Sequence, residues 1–217
     1  MPWTSALTIS RMRIERIEAS KHKRGRVLVF LADGACLKIT EQELLDFGLR
    51  SGDDLDESAL KRLKEAAGVS NVKATAADLI GKRAMSRRDL ERKLQEKGAS
   101  EAESRYAAEW LEAIGAIDDA DYAALLVRHC AGLGYGPARI RDKLREKGVP
   151  RELWDEALEQ APDNAEQIDR FLRSKLRGGV PDEKDKKRLS DALLRRGFPW
   201  SDVKAGLNRL GADIYEE

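Results

Sequence analysis

Lysines and arginines that recur at matched positions are the side chains in this 217-residue chain whose type and spacing could do chemistry. Ser86-x3-Leu90-x3-Leu94-x3-Gly98 is followed by Gly136-x3-Ile140-x3-Leu144-x3-Gly148 and by Asp185-x3-Leu189-x3-Leu193-x3-Gly197, at offsets of 50 and 49 residues. In this frame Lys93 aligns with Lys143, and Lys97 aligns with Lys147 and Arg196. Residues 82–97 hold seven basic and three acidic side chains, residues 135–147 five and two, and residues 184–196 six and two. Cations kept in place while the repeat diverges suit a regularly spaced polyanion or the acidic surface of a periodic filament. If they touch phosphates, each contact adds about 0.9 to the salt dependence on duplex DNA and about 0.7 on single strands. The competing account is three solvated helix faces, since Lys and Arg are common there. The candidate contacts are Arg88, Lys93, Lys97, Arg139, Lys143, Lys147, Arg188, Arg195 and Arg196. Tyr135, in a glycine-flanked turn, is the aromatic expected to be exposed and joins them as a candidate contact with partner or backbone.

Other chemistry is weaker. His129-Cys130 could start a metal or thiol site, but no further ligands stand at useful spacing, so an ordinary buried pair is expected. Asp118-Asp119 suits a helix N-cap better than a cation site. Gly132-x-Gly134-x-Gly136 has neither a preceding strand nor a following Gly-Lys-Ser/Thr, which a phosphate loop needs. The other histidine, His22, lies in a polar turn, leaving no acid–base pair or nucleophile triad. The expectation is therefore a protein that is not an enzyme and needs no cofactor. Trp110, Trp154 and Trp200 each follow a basic segment; base stacking competes there with core packing, and core packing is the preferred reading. A helix-turn-helix would send its third helix into the major groove. Here the third helices carry Glu101, Glu103, Glu109 and Glu112, then Glu152, Asp155, Glu156 and Glu159, which disfavours that use.

The elements that must position these cations follow from the same pattern. Each copy opens on a helix-starting residue, places apolar residues at every fourth position and stops at glycine, so each is a short amphipathic helix with a left-handed cap. A period near 50 residues marks stacked supersecondary units. The expected fold is mainly α, an elongated array of three tandem three-helix repeats at residues 74–117, 118–161 and 162–217. A small N-terminal antiparallel β-meander with two helices precedes it, at residues 1–73. Residues 1–8 carry no periodicity and read as loose. Met12 to Ile17, Val27 to Leu31 and Leu37 to Ile39 read as three strands joined by turns at Lys23-Arg-Gly25 and Asp33-Gly34. Thr40-Glu-Gln-Glu43 is a capping box for a helix over residues 41–47. A second helix follows Asp56 and carries Leu60, Leu63 and Ala67 up to Gly68, and Gly68-Val-Ser-Asn-Val-Lys73 is expected to be a hinge. Arg177-Gly-Gly-Val-Pro181 reads as a long turn, and Leu94, Leu144 and Leu193 as core pins.

Composition bounds the class. Charged residues reach 36% and aromatics 6%, which favours exposed helices, while a net charge of +1 gives no global pull toward nucleic acid. Cys36 and Cys130 lie far apart without a CxxC partner, which fits a reducing, cytoplasmic setting. No signal peptide begins the chain and no run approaches the ~18 apolar residues of a membrane span, so no membrane partner is expected. No long apolar heptad demands a dimer, and a monomer is expected.

Three segments resemble the RecX family, regulators of the RecA recombinase. They are Leu79-Ile-x-x-Arg83-x-x-Ser86-x-x-x-Leu90-x-x-Lys93-Leu94-x-x-x-Gly98, Leu111-x-x-Ile114-Gly-Ala-Ile-Asp118-Asp119-x-x-Tyr122, and Gly134-Tyr-Gly-Pro137-x-x-Ile140-x-x-x-Leu144-x-x-x-Gly148-Val149. The resemblance covers about residues 75–160, and the third repeat agrees in helix pattern only. It implies a curved array lying in the groove of the RecA–single-stranded-DNA filament, a role in DNA repair and the SOS response, and modulation of RecA, chiefly inhibition of ATP hydrolysis and strand exchange. Some family members bind DNA directly. Two other classes stay open: a stand-alone nucleic-acid-binding helical repeat protein, and a helical adaptor for another protein.

Overall fold

The computed structural model describes residues 11–176 and 181–213, without side-chain detail for 211–213. The segment expected to be loose (1–8) and most of the turn at 177–181 lie outside the described residues. Packing divides the chain into two compact units, residues 1–82 with 91–111 and residues 83–90 with 112–217.

In the first unit, alternating apolar residues build a sheet with one buried face. Strands β1 (Met12–Ala19), β2 (Arg26–Leu31), β3 (Cys36–Thr40) and β4 (Asp54–Leu55) are ordered β3-β2-β1-β4, all antiparallel. The expected meander is thus four-stranded: a two-residue strand pairs Met12 with Leu55, too short to leave an alternating pattern. Ile14, Val29, Leu31 and Ile39 are fully buried and pack with Leu63 of α2 (Glu57–Ile80). Helix α1 (Glu41–Asp46) starts with the expected capping box, in which the Glu43 N–H donates to Thr40 Oγ1 at 3.0 Å and the Thr40 N–H donates to Glu43 Oε2 at 2.7 Å.

The hinge expected at Gly68-Val-Ser-Asn-Val-Lys73 is not there. Helix α2 runs unbroken for 24 residues from its Asp56 cap. Polar residues that read as breakers instead find tertiary partners. Asn71 Nδ2 donates to the Lys38 carbonyl at 2.8 Å, and the Arg26 guanidinium donates to Ser70 Oγ at 3.0 Å and to the Ser70 carbonyl at 2.7 Å. Helix α3 (Arg87–Glu96) and helix α4 (Glu101–Ala113) follow, the latter opened by Ser100 and Glu103 in reciprocal hydrogen bonds.

In the second unit, α5 (Asp119–Gly132), α6 (Pro137–Glu146), a 3-10 turn (Arg151–Leu153) and α7 (Trp154–Glu159) enclose Val127, Cys130, Ile140, Leu144 and Ala157. Trp154 joins that core because its indole N–H donates to the Val149 carbonyl at 3.0 Å. Helices α8 (Asn164–Leu176), α9 (Glu183–Arg195) and α10 (Trp200–Asp213) enclose Ile168, Leu172, Leu189, Leu193, Phe198 and Val203. The three expected core pins are buried, Leu94 at 1% exposure and Leu144 and Leu193 at 0%. Truncating any one of them to alanine removes about 2–5 kcal/mol.

Candidate basic interface

The basic helices are placed by the way they begin and end. A helix leaves its first N–H groups and last carbonyls without partners. At the start of α6, the Gly136 N–H donates to the Arg196 carbonyl at 2.8 Å and the Ala138 N–H donates to the Gly197 carbonyl at 3.1 Å. Arg196 and Gly197 end α9, so the unpaired groups of one helix satisfy those of the next. The positive end of one helix dipole also meets the negative end of another. Contact is backbone to backbone: a Cβ on Gly136 would stand 2.5 Å from the Phe198 nitrogen. Gly136 has no such need for conformational freedom, since its φ of −82° and ψ of 171° are open to any residue.

The start of α3 is seated on the end of α6 by different chemistry. Ser86 Oγ donates to the Lys147 carbonyl and accepts from the Asp89 N–H at 3.1 Å. The Arg87 N–H donates to Asp119 Oδ1 at 2.8 Å, and the Arg87 guanidinium pairs with Glu112 at 2.7 Å. Burial raises the Asp119 carboxyl above its usual value, against the Arg87 N–H, which lowers it. Ser86 aligns with Gly136, and its hydroxyl takes the place of the backbone N–H used there.

The candidate cations divide between the two units. In the first, Lys97 is exposed and Lys93 half-buried. In the second, the exposed Arg88 side chain lies across Gly148, with aliphatic carbons 3.0–3.2 Å from where a Cβ would stand. Arg139 is exposed, with its guanidinium 5.0 Å from the Tyr135 ring. Lys143 pairs with Glu146 at 2.6 Å, a bond that raises the amine and lowers the carboxylate. Lys147 is half-buried with Nζ 4.0 Å from Glu146, Arg188 pairs with Asp185 at 3.1 Å, and Arg195 is exposed. Arg88, Lys93, Lys97, Arg139 and Arg195 make no ion pair among the described residues. Arg196 is different: it donates to the Leu133 and Gly134 carbonyls at 3.3 and 3.2 Å and lies 4.9 Å from the Phe171 ring. Its charge faces the C-terminal carbonyls of α5, so it clasps two repeats together.

Several expectations change. Tyr135 is half-buried against the second repeat's core rather than exposed, because Gly136 is pulled onto α9 and draws its neighbour inward. Trp200 is 56% exposed rather than packed, because it occupies the first turn of α10 on the solvent side. His129 is exposed while Cys130 is buried, so they are no buried pair; burial raises the Cys130 thiol and quiets it. Asp118 caps α5 as expected, accepting from the Ala120 and Asp121 N–H groups at 2.8 and 3.0 Å. In the third copy Asp182 caps α9, accepting from the Asp185 N–H at 2.6 Å, so Asp185 sits one turn inside the helix. Sequence reading missed the Ser86–Arg87–Asp119 junction; the alignment of Ser86 with Gly136 was its only trace. Among the described residues no three His, Cys, Asp or Glu side chains gather as a metal site, and no helix is long and apolar enough to cross a membrane.

Comparison with known proteins places this geometry. A family model described as the second three-helix domain of RecX matches residues 118–158. The regulatory protein RecX of Pseudomonas putida is 32% identical over 146 residues, which are 66% of this chain and 94% of that protein. Its counterpart in Bacillus licheniformis is 25% identical over 201 residues, 89% of this chain and 76% of that one. A crystal structure of a regulatory protein RecX shares 26% identity and a TM-score of 0.66, covering 91% of this chain and 99% of its own. The structure of RecX from Lactobacillus salivarius, at 22% identity and a TM-score of 0.61 over 68% of this chain, shares the fold.

Proposed function

Since this chain belongs to the RecX family of regulatory proteins, we propose that it modulates homologous recombination by binding the filament that RecA forms on single-stranded DNA, most of all by restraining its ATP hydrolysis and strand exchange. One observation carries the reading. The start of α6 is hydrogen-bonded onto the end of α9, so cation-bearing helices follow one another in a fixed order. Unpaired cations on such a row match a periodic polyanionic partner better than an isolated ligand. The contacts are Arg88, Lys93, Lys97, Arg139 and Arg195, with Lys143, Lys147 and Arg188 after release from their exposed carboxylate partners, an exchange that costs little. Arg196 acts by holding the repeats together, and Tyr135 by packing on the second repeat's core. This role needs no catalysis by the chain. The acidic third helices limit binding to bare DNA, so full strength requires the filament.

The test is DNA-dependent ATP hydrolysis by RecA with the protein titrated in. Inhibition is expected, and a Lys93→Glu/Lys143→Glu variant should keep its helicity and lose the effect. No change in hydrolysis at micromolar protein, together with no co-sedimentation with filaments, would refute the proposal. Tight binding to bare single strands that RecA does not strengthen would instead favour a stand-alone nucleic-acid-binding protein.

A further inference from the structure

The densest positive charge in the chain is not on the repeats. Residues 11–26 hold seven Lys and Arg against two Glu, a larger excess than any of the three basic helices. They form the β1–β2 hairpin, whose last ladder pair is Ala19 with Val27. Its tip reads Lys21-His-Lys-Arg24, all four exposed.

The tip is held in a defined shape. Ser20 Oγ accepts from the His22 and Lys23 N–H groups at 3.4 and 3.3 Å, and the Ser20 N–H donates to the Arg26 carbonyl at 2.8 Å. The Glu41 N–H donates to the Gly25 carbonyl at 3.2 Å, tying the loop to the end of β3. Two of its cations serve as fasteners: Lys23 Nζ bonds Asp78 of α2 at 2.6 Å, and Arg26 bonds Ser70. Lys21 and Arg24 make no such contact among the described residues and project from a braced loop. The tip carries no apolar residue and no Phe, Tyr or Trp. Membrane anchors need apolar residues beside their cations, and the centres of protein interfaces favour aromatics and exclude lysine. Phosphate oxygens need only fixed, solvated cations.

We propose that the tip of the β1–β2 hairpin is a second nucleic-acid contact, at which Lys21 and Arg24 hold backbone phosphates of single-stranded DNA. This assigns a role to the N-terminal sheet and rests on the chain acting at a DNA-bearing filament. The contact is independent of base identity and lies apart from the basic helices in the sequence.

The test is binding of the full chain to a labelled single-stranded oligothymidylate, by fluorescence anisotropy, between about 50 and about 200 mM salt. Lys21→Ala/Arg24→Ala should lower the salt slope by about 1.4, two contacts at about 0.7 each, with an unchanged melting temperature. An unchanged slope and affinity would overturn the inference, as would absence of any binding by the unaltered chain. Loss of filament binding with bare-DNA binding intact would also overturn it, assigning the tip to an acidic protein surface. If the double variant keeps the native slope yet still restrains RecA, the hairpin contact falls and the proposed function stands. If the double variant shows the lowered slope but the unaltered chain leaves RecA untouched, the hairpin contact stands and the proposed function falls.

Discussion

Replacing Gly136 with alanine tests the seating of α6 on α9 with a single methyl group. At this backbone conformation alanine on its own would stabilise the chain by about 0.4–1 kcal/mol, by narrowing the unfolded ensemble. The added Cβ, however, would lie 2.5 Å from the Phe198 nitrogen and 2.6 Å from the Gly197 carbonyl carbon and oxygen. Those atoms are backbone and cannot swing aside. Relief requires lifting α6 off α9, which stretches the hydrogen bonds from Gly136 and Ala138. Two such bonds contribute about 1–3 kcal/mol together, and overpacking costs a further ~1–3 kcal/mol. The expected net loss is about 3 kcal/mol, a large share of a typical ~5–15 kcal/mol. Urea unfolding followed by circular dichroism should show a lower midpoint. Because stacked repeats unfold together only while their interfaces hold, the transition should also broaden or split. Gly98→Ala is the control: it has a φ of +95° but no heavy atom within 4 Å, so it incurs only the left-handed cost of about 1–2 kcal/mol. Gly197→Ala, at φ +89° and with its Cβ 2.5 Å from the Arg139 nitrogen, suffers both penalties and should be the worst of the three. A Gly136→Ala protein within about 0.5 kcal/mol of the original, or more stable than Gly98→Ala, would refute this account of the junction.

Adjacent arginines should separate by role. Arg196→Ala should lower the urea midpoint by the equivalent of about 1 kcal/mol through loss of its carbonyl and ring contacts, whereas Arg195→Ala should leave the midpoint unchanged and weaken co-sedimentation with RecA filaments. Burial raises the Asp119 carboxyl, so the folded chain binds that proton more readily than the unfolded chain, whose aspartate titrates near ~3.9. The cost of its charge is therefore complete above the raised value and is relieved as pH falls through it. Asp119→Asn should accordingly lose part of its stability advantage over the unaltered protein as urea midpoints are followed from neutral pH down toward ~4; a difference independent of pH would contradict the assignment.

The repeat was readable because Leu90, Leu94, Ile140, Leu144, Leu189 and Leu193 mark one buried stripe with a helical period, and a terminal glycine marks each end. The capping box at Thr40 was readable for the same reason, since cap and helix are neighbours in the chain. What could not be read depended on partners distant in sequence. Gly68 looked like a stop signal, yet its missing side chain makes room for Glu103, whose Oε1 would stand 3.0 Å from a Cβ there. Gly132, Gly134 and Gly136 resembled a phosphate loop, but the last of them exists to let another repeat's backbone approach. Arg196 aligned with Lys97 and Lys147 and seemed one more surface cation, while only the fold reveals the carbonyls it meets. Within the candidate interface, identity and spacing of the cations were legible; which of them are already engaged was not.

The cap on α9 has a consequence for how such chains change length. Helix α6 borrows its opening hydrogen bonds from α9, and α3 borrows one through the Ser86 hydroxyl, but α9 supplies its own through the Asp182 side chain. Asp182 therefore acts as a terminator. A module grafted ahead of α9 in the same manner would collide with that aspartate, and excising the last module would leave two N–H donors of the one before it without their acceptors. Gain or loss of a module therefore needs coordinated changes at both ends of a seam, a constraint that holds the module count steady while surface residues drift.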